Sequence, residues 1–257
     1  MLVTRVLTAA IGIPILFGFA YTGGYWWDAL VVILAVLCNY ELMRMADTKS
    51  KPIIILASLT CVLLVLMPII KTMPIPPWAP LVGVVIIVGV LLKVNYRIDA
   101  IQLGWAFFST LYVGFLFSYA IGINHLSQPS FMFLLTAFLL TWASDTGAFF
   151  VGKFFGKRQL SPNLSPNKTW EGSLGGVITT MLIAWALLAG QLGWSWALIF
   201  GLIASILAQM GDMFESLLKR YFGVKDSGRL LPGHGGVLDR FDSFLLVAPL
   251  VFYFLTT

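Results

Sequence analysis

The chain has 257 residues, 59% of them hydrophobic and only 11% charged, with a mean hydropathy of +0.92. Soluble globular domains carry about 25% charged residues, so a water-soluble fold is excluded and an integral membrane protein is implied. Sixteen basic against eleven acidic residues leave a net charge of +5.

A membrane-spanning helix needs about 20 mainly apolar residues. In chain order, nine runs qualify: 6–22, 25–45, 52–70, 78–92, 101–123, 130–152, 173–190, 194–216 and 237–256. They are too long, and lack the alternation, for a lipid-facing barrel. The fold class expected is therefore all-α, a polytopic integral membrane protein with about nine transmembrane helices. The first run follows Arg5 and ends near Ala20, like a signal peptide. A second run follows after a very short loop, so the first is read as an uncleaved membrane helix. Cys38 and Cys61 both lie inside apolar runs without metal-ligand spacing and are read as small buried residues.

Lysine and arginine set the orientation. With a cytoplasmic N-terminus and nine alternating spans, 15 of the 16 basic residues fall on the cytoplasmic side, and only Lys71 lies outside. This places the C-terminus externally, in the inner (plasma) membrane of a cell. External loops are poor in charge: 71–77 is a stiff proline turn, and His125 in 124–129 is read as an incidental loop histidine. Trp26, Trp27, Trp78, Trp194 and Trp196 stand at external span ends, where aromatic rings favour the headgroup zone. Two regions are expected. Residues 1–125 hold about five spans for scaffold, dimer contact and lipid access, and 126–257 hold about four spans and the chemistry.

Polar residues are sparse enough to be read one by one. In the second span Asn39-Tyr40-Glu41 stands near the cytoplasmic end, and Glu41 is read as pairing with Arg44 three residues on. Asp145 lies inside the sixth apolar run, where a carboxylate is costly. The loop 153–172 repeats Ser-Pro-Asn at 161 and 165, and proline keeps both units out of helix. Asn167 is read as the N-cap of the next span. That places Lys168 beside free backbone N–H groups, a good seat for phosphate, with Glu171 in the first helical turn.

The densest stretch is Gly211 to Ser243, with five acidic and five basic residues. On the eighth span Ser205, Gln209, Asp212, Ser216 and Lys219 recur at spacings of four, three, four and three. They form one polar stripe ending in the cytoplasm. The loop then runs through Lys225, Asp226 and a glycine-rich turn in which Gly235 and Gly236 let backbone approach a ligand. Asp239, Arg240 and Asp242 open the ninth span. Carboxylates suit hard divalent metals, and cations with loop amides suit polyphosphate.

Ser216-Leu-Leu-Lys219-Arg220, Lys225-Asp226-Ser-Gly and Pro232-Gly-His234-Gly235-Gly236-Val-Leu-Asp239-Arg240-Phe-Asp242 together resemble the signature of the phosphatidate cytidylyltransferases. Asp145 in Asp-Thr-Gly-Ala, the run SPNKTWEG and the Tyr-Glu41 pair are similar to that family too, so the resemblance covers the whole chain. It implies condensation of CTP with phosphatidic acid to CDP-diacylglycerol and pyrophosphate, with Mg²⁺, possibly two ions. It implies a homodimer surrounded by membrane lipids, with no nucleic acid among its partners. Asp212 and Asp239 match the family's catalytic carboxylates, and Asp145 is expected as a third metal or substrate contact. Lys219 is counted with the catalytic set. Substrate contacts are expected from Lys168, Ser165, Glu171, Ser216, Arg220, Lys225, Asp226, His234, Gly235, Gly236, Arg240 and Asp242. His234 is read as orienting the glycine loop or touching phosphate rather than as a base. The same parts would serve a CTP-dependent lipid kinase or a cytidylyltransferase for another lipid phosphate. A transporter would place its charge near the midplane between repeats, and neither feature is visible.

Overall fold

The computed structural model describes residues 2–69, 100–126 and 130–256. The expected fourth span at 78–92 lies outside the described residues, with the proline turn, Lys71, Trp78, Lys93 and Arg97. The described helices are α1 (Leu2–Thr22), α2 (Gly24–Met45), α3 (Lys51–Leu66, extended by a 3-10 turn Met67–Ile69), α4 (Ala100–Asn124), α5 (Ser130–Phe155), α6 (Trp170–Leu192), α7 (Trp194–Tyr221) and α8 (Leu238–Thr256). Seven of these, α1 to α7, are long and apolar enough to cross a membrane. The eighth, α8, matches the expected last span and begins with three charges, Asp239, Arg240 and Asp242. The protein is thus an all-α, multi-pass membrane protein, with one small exception. The Ser-Pro-Asn loop forms an antiparallel hairpin, β1 (Gln159–Ser161) and β2 (Ser165–Thr169), pairing Gln159 with Thr169 and Ser161 with Ser165.

The chain divides into two compact units, Met1–Phe131 with Val224–Arg240, and Met132–Gly223 with Phe241–Thr257. In the first unit, α1 reverses into α2 through Gly23 and Gly24, both at positive φ (61° and 55°), a conformation open to glycine. Small and hydroxyl residues then lock α2, α3 and α4 together. Ser109 donates to Asn39 Oδ1 at 2.6 Å, Thr110 donates to the Ala57 carbonyl at 3.2 Å, and Gly114 lies directly on the Cys61 backbone. These contacts fall at a π-helical stretch of α4, Thr110–Phe115. Cys38 and Cys61 are both buried, as their apolar setting predicts.

The opposite end of the same bundle is closed by Asp28, which is buried. It accepts from Asn124 Nδ2 at 3.1 Å and pairs with His125 Nε2 at 2.8 Å. His125 is therefore not incidental: it supplies a partner for a carboxylate buried in an apolar helix. Trp27 also departs from expectation. It is buried and donates its indole N–H to the Ala120 carbonyl at 2.9 Å, whereas Trp26, Trp194 and Trp196 are exposed at helix starts.

In the second unit α6 and α7 form the most extensive helix pair, and glycines bring the helices close. A Cβ on Gly175 would collide with Val151 of α5, one on Gly201 with the Met181 backbone, and one on Gly211 with the Asp242 carbonyl at 2.5 Å. The last contact fixes where α7 crosses α8. The helix after the hairpin starts later than expected. Residues 165–169 are extended, so Thr169 rather than Asn167 is the N-cap, its hydroxyl accepting from Gly172 N at 3.0 Å.

The charge distribution generates a direct check of orientation. In a background without Cys38 and Cys61, single substitutions Arg229→Cys, at an exposed loop position, and Thr257→Cys are expected to label from opposite membrane faces. Labelling from one face would overturn the nine-span alternation.

Candidate active site

In the first unit the central group is Glu41 of α2, 2% exposed. Its Oε1 accepts from Val237 N at 3.0 Å, and its Oε2 accepts from Leu238 N at 2.9 Å and Ser227 Oγ at 3.0 Å. The two amides belong to the unpaired N-terminal donors of α8, and a negative charge there complements the helix dipole. A carboxylate taken out of water costs several kcal/mol unless such donors replace its hydration. The expected pairing with Arg44 does not form. Arg44 points the other way and donates to the Tyr40 hydroxyl at 3.2 Å.

Asp239, the second residue of α8, is bound into the same loop. Its Oδ2 accepts from Ser227 N at 2.9 Å, Ser227 Oγ at 3.0 Å and Gly236 N at 2.8 Å. Ser227 has a single hydroxyl proton and lies 3.0 Å from both carboxylates, so it couples Glu41 to Asp239. Side chains at Gly228 or Gly236 would strike the Glu41 carboxylate. That contact is the physical reason for Ser-Gly and Gly-Gly at these two points. His234 sits in a tight turn in which Leu231 N donates to Gly235 O at 3.0 Å. Partial burial, then the positive charge of Arg240, holds its pKa below the ordinary histidine value, so it is neutral at pH 7. Arg240 donates through Nε and Nη2 to the His234 carbonyl at 3.2 and 2.9 Å, while Lys225 and Asp226 are exposed.

In the second unit a cavity of about 510 Å³ is lined by Asp145 of α5, Ser165, Asn167 and Lys168 of β2, Ser173 of α6, and Gln209 and Asp212 of α7. Lys168 forms an ion pair with Asp212. The polar stripe expected on α7 is real, and Ser205, Gln209, Asp212 and Lys219 each have a partner. Ser205 bonds Ser144 at 3.0 Å, Gln209 donates to Ser205 Oγ at 3.1 Å and accepts from the Ser173 hydroxyl, and Asp212 follows one turn on. Ser216 is buried, and Lys219 pairs with Glu215, which is wholly buried. Asp242 is buried within electrostatic reach of Asp212, Asp145 and Lys219.

Glu171 and Arg220 hold the hairpin. Glu171 Oε2 accepts from the amides of Lys157 at 3.0 Å and Arg158 at 3.2 Å, and Arg220 Nε donates to the Leu164 carbonyl at 3.2 Å. Sequence reasoning expected both at substrate, and these contacts are with the loop that carries Ser165 and Lys168. Glu41 was the carboxylate it underrated: Arg44 at helical spacing offered a local explanation, and burial is the signal that separates the two. Among the described residues no three His, Cys, Asp or Glu side chains gather at metal-ligating spacing.

These features define a class: a multi-pass membrane protein whose polar site is built from helix ends and a short hairpin, with carboxylates and a lysine on one cavity. The cytidylyltransferase family model matches residues 3–257, and the chain belongs to that family. A relative from Bacillus subtilis named phosphatidate cytidylyltransferase is 35% identical over 263 residues, covering 98% of this chain and 96% of the relative. One of the same name from Staphylococcus aureus is 35% identical over 259 residues, and one from Staphylococcus epidermidis 34% over 257, each covering 96% of both chains. The resemblance carried by the Lys225–Asp242 motif is borne out.

Glu41 yields a sharp expectation. Glu41→Gln keeps the shape but turns an N–H toward the α8 amides. It should destabilise the detergent-solubilised protein by about 1–3 kcal/mol, the cost of leaving a buried donor unpaired. Ser227→Ala should do less, and the double variant should fall short of the sum, because both act on one network. Thermal denaturation of the four proteins checks this; strict additivity would mean that Ser227 does not couple the two groups.

Proposed function

We propose that the protein is a CTP:phosphatidate cytidylyltransferase acting at the cytoplasmic face of the inner membrane. Its N-terminus would be cytoplasmic, its C-terminus external, and its working form a homodimer. The observation that carries this reading is the cavity on which Asp145, Asp212 and Lys168 converge within a chain of the cytidylyltransferase family. A phosphate oxygen of phosphatidate bonds to the α-phosphorus of CTP. The bond between that phosphorus and the bridging oxygen to the β-phosphate breaks, and its electron pair leaves with pyrophosphate. The attacking phosphate is already ionised near pH 7, so no protein base is needed, in keeping with a neutral His234.

Two carboxylates on one cavity suit a hard cation that keeps several waters and takes further oxygens from substrate phosphates. Magnesium fits that donor set, with Asp145 and Asp212 of the cavity to hold it; the resemblance adds Asp239, whose Oδ2 is taken up by Ser227 and Gly236. When bound it supplies charge neutralisation at the phosphates. Lys168 then exchanges its ion pair with Asp212 for a CTP phosphate, with the α6 amides and the Ser165 hydroxyl beside it. Lys219, braced by Glu215, adds positive charge near Asp242.

Incorporation of radiolabelled CTP into lipid by purified protein, with and without phosphatidate, tests the reaction itself; incorporation independent of phosphatidate would refute it. Asp212→Asn and Asp239→Asn are each expected to leave less than about a tenth of activity. Lys168→Ala is expected to raise the KM for CTP by about tenfold, the loss of one charge-assisted hydrogen bond, with the KM for phosphatidate little changed. Unchanged constants for both substrates would remove Lys168 from the site.

A further inference from the structure

The first helix has no role in the site as described so far, yet its start is tied to the glycine loop. The span Thr4–Thr22 of α1 has only 6% of its residues buried within the chain, so almost all of its surface is left uncovered by it. Two of its side chains nevertheless reach across the first unit to the turn at 231–235. Thr8 Oγ1 lies 3.0 Å from the Pro232 carbonyl, and Arg5 donates through Nε to the Gly233 carbonyl at 2.9 Å. The next carbonyl, that of His234, is taken by Arg240. Three consecutive loop carbonyls are thus each approached by a donor side chain, two of them guanidinium groups. Gly233 has φ of 78°, and a Cβ there would sit 3.0 Å from Thr4 Oγ1 and 3.2 Å from Arg5 Cγ, so the turn rests directly on the helix.

The chemistry of this corner is unbalanced. Arg5 commits only Nε, which leaves the paired Nη edge of an exposed guanidinium, the geometry that takes two oxygens of a phosphate. Neither Arg5 nor Arg240 forms an ion pair with a carboxylate among the described residues. The neighbouring imidazole is neutral, held so first by partial burial, then by Arg240, with Arg5 adding to the effect. The ligand that suits the corner is an anion with at least two oxygens. Because Arg5 stands in the first turns of a helix long and apolar enough to cross a membrane and little covered by the chain, that anion is best carried by a molecule whose apolar chains lie along α1.

We propose that Arg5, with Arg240, binds the phosphate monoester headgroup of the lipid substrate, and that the cytoplasmic start of α1 is the wall along which that lipid enters. The proposal rests on the phosphatidate reading above and adds the residue that would discriminate lipid from nucleotide. Arg5→Gln removes the charge and the Nη fork. It is expected to raise the apparent KM for phosphatidate in mixed micelles by about tenfold, as for one charge-assisted contact, and to leave the KM for CTP unchanged. Thr8→Val loosens the loop without changing charge and is expected to leave the lipid KM alone. A rise in the KM for CTP, or a fall in kcat with both constants unchanged, would overturn the proposal and make Arg5 a CTP contact or a loop brace.

A second measurement is independent of turnover. Thermal stabilisation of the detergent-solubilised protein by short-chain phosphatidate, without CTP, should be present in the wild type and lost in Arg5→Gln. Matched phosphatidylcholine should give none, and inorganic phosphate much less than phosphatidate. Stabilisation by phosphatidate that survives Arg5→Gln refutes the lipid site. If the wild type is stabilised but does not consume phosphatidate, the site stands and the proposed reaction fails.

Discussion

The structure of the first unit depends on one buried carboxylate. Glu41 lies inside an apolar helix bundle, and its charge is tolerable only because Ser227 and the first amides of α8 converge on it. Those donors exist in the right place only if the loop between α7 and α8 folds back over α2. The same loop then has no freedom to carry side chains where the carboxylate sits, which accounts for Gly228 and Gly236. Asp239 takes its position from this arrangement, because its Oδ2 shares Ser227 with Glu41. The motif residues are therefore held by a group nearly 200 positions away in sequence.

The second unit solves a different problem, that of placing a polar cavity among helices with lipid around them. Hydroxyl and amide side chains on facing helices satisfy one another: Ser144 with Ser205, and Ser173 with Gln209. Such pairs need short interhelical distances, and Gly175, Gly201 and Gly211 supply them. Charges sit at the end of that stripe, where Asp212 meets Lys168 and Glu215 meets Lys219. Pairing lowers the cost of a buried ion such as Glu215. The hairpin is the means by which a loop residue, Lys168, reaches a helix residue, Asp212, and Glu171 and Arg220 fix the hairpin in turn.

The two ends of the first bundle show the same economy with opposite consequences. At one end Asp28 is engaged by His125 and Asn124, all within the scaffold. At the other, Arg5 and Arg240 spend donors on loop carbonyls and keep others in reserve. Both ends contain charge in an apolar protein, and only the second is left with an excess.

Much of this was written in the sequence. Hydropathy fixes the spans, because a bilayer imposes a length on any helix that crosses it, and the described helices fall within a few residues of the expected runs. The stripe on α7 and the apolar setting of Asp145 follow from helical periodicity and the cost of charge in lipid, both local properties of the chain. The motif from Ser216 to Asp242 identifies the family without a structure. What the sequence could not decide was which partner each charge takes. Glu41 had Arg44 at helical spacing, yet its donors come from Ser227, Val237 and Leu238, because burial favours backbone amides brought by the fold over a cation free to face water. His125 and Trp27 read as surface residues until the packing of α2 against α4 supplied Asp28 and the Ala120 carbonyl. The shift of the N-cap from Asn167 to Thr169 has the same cause: pairing of β2 with β1 holds residues 165–169 extended, and periodicity carries no information about a hairpin. Composition and period report what a segment prefers alone; a buried ion's partner is set by which segments the fold brings within three ångströms.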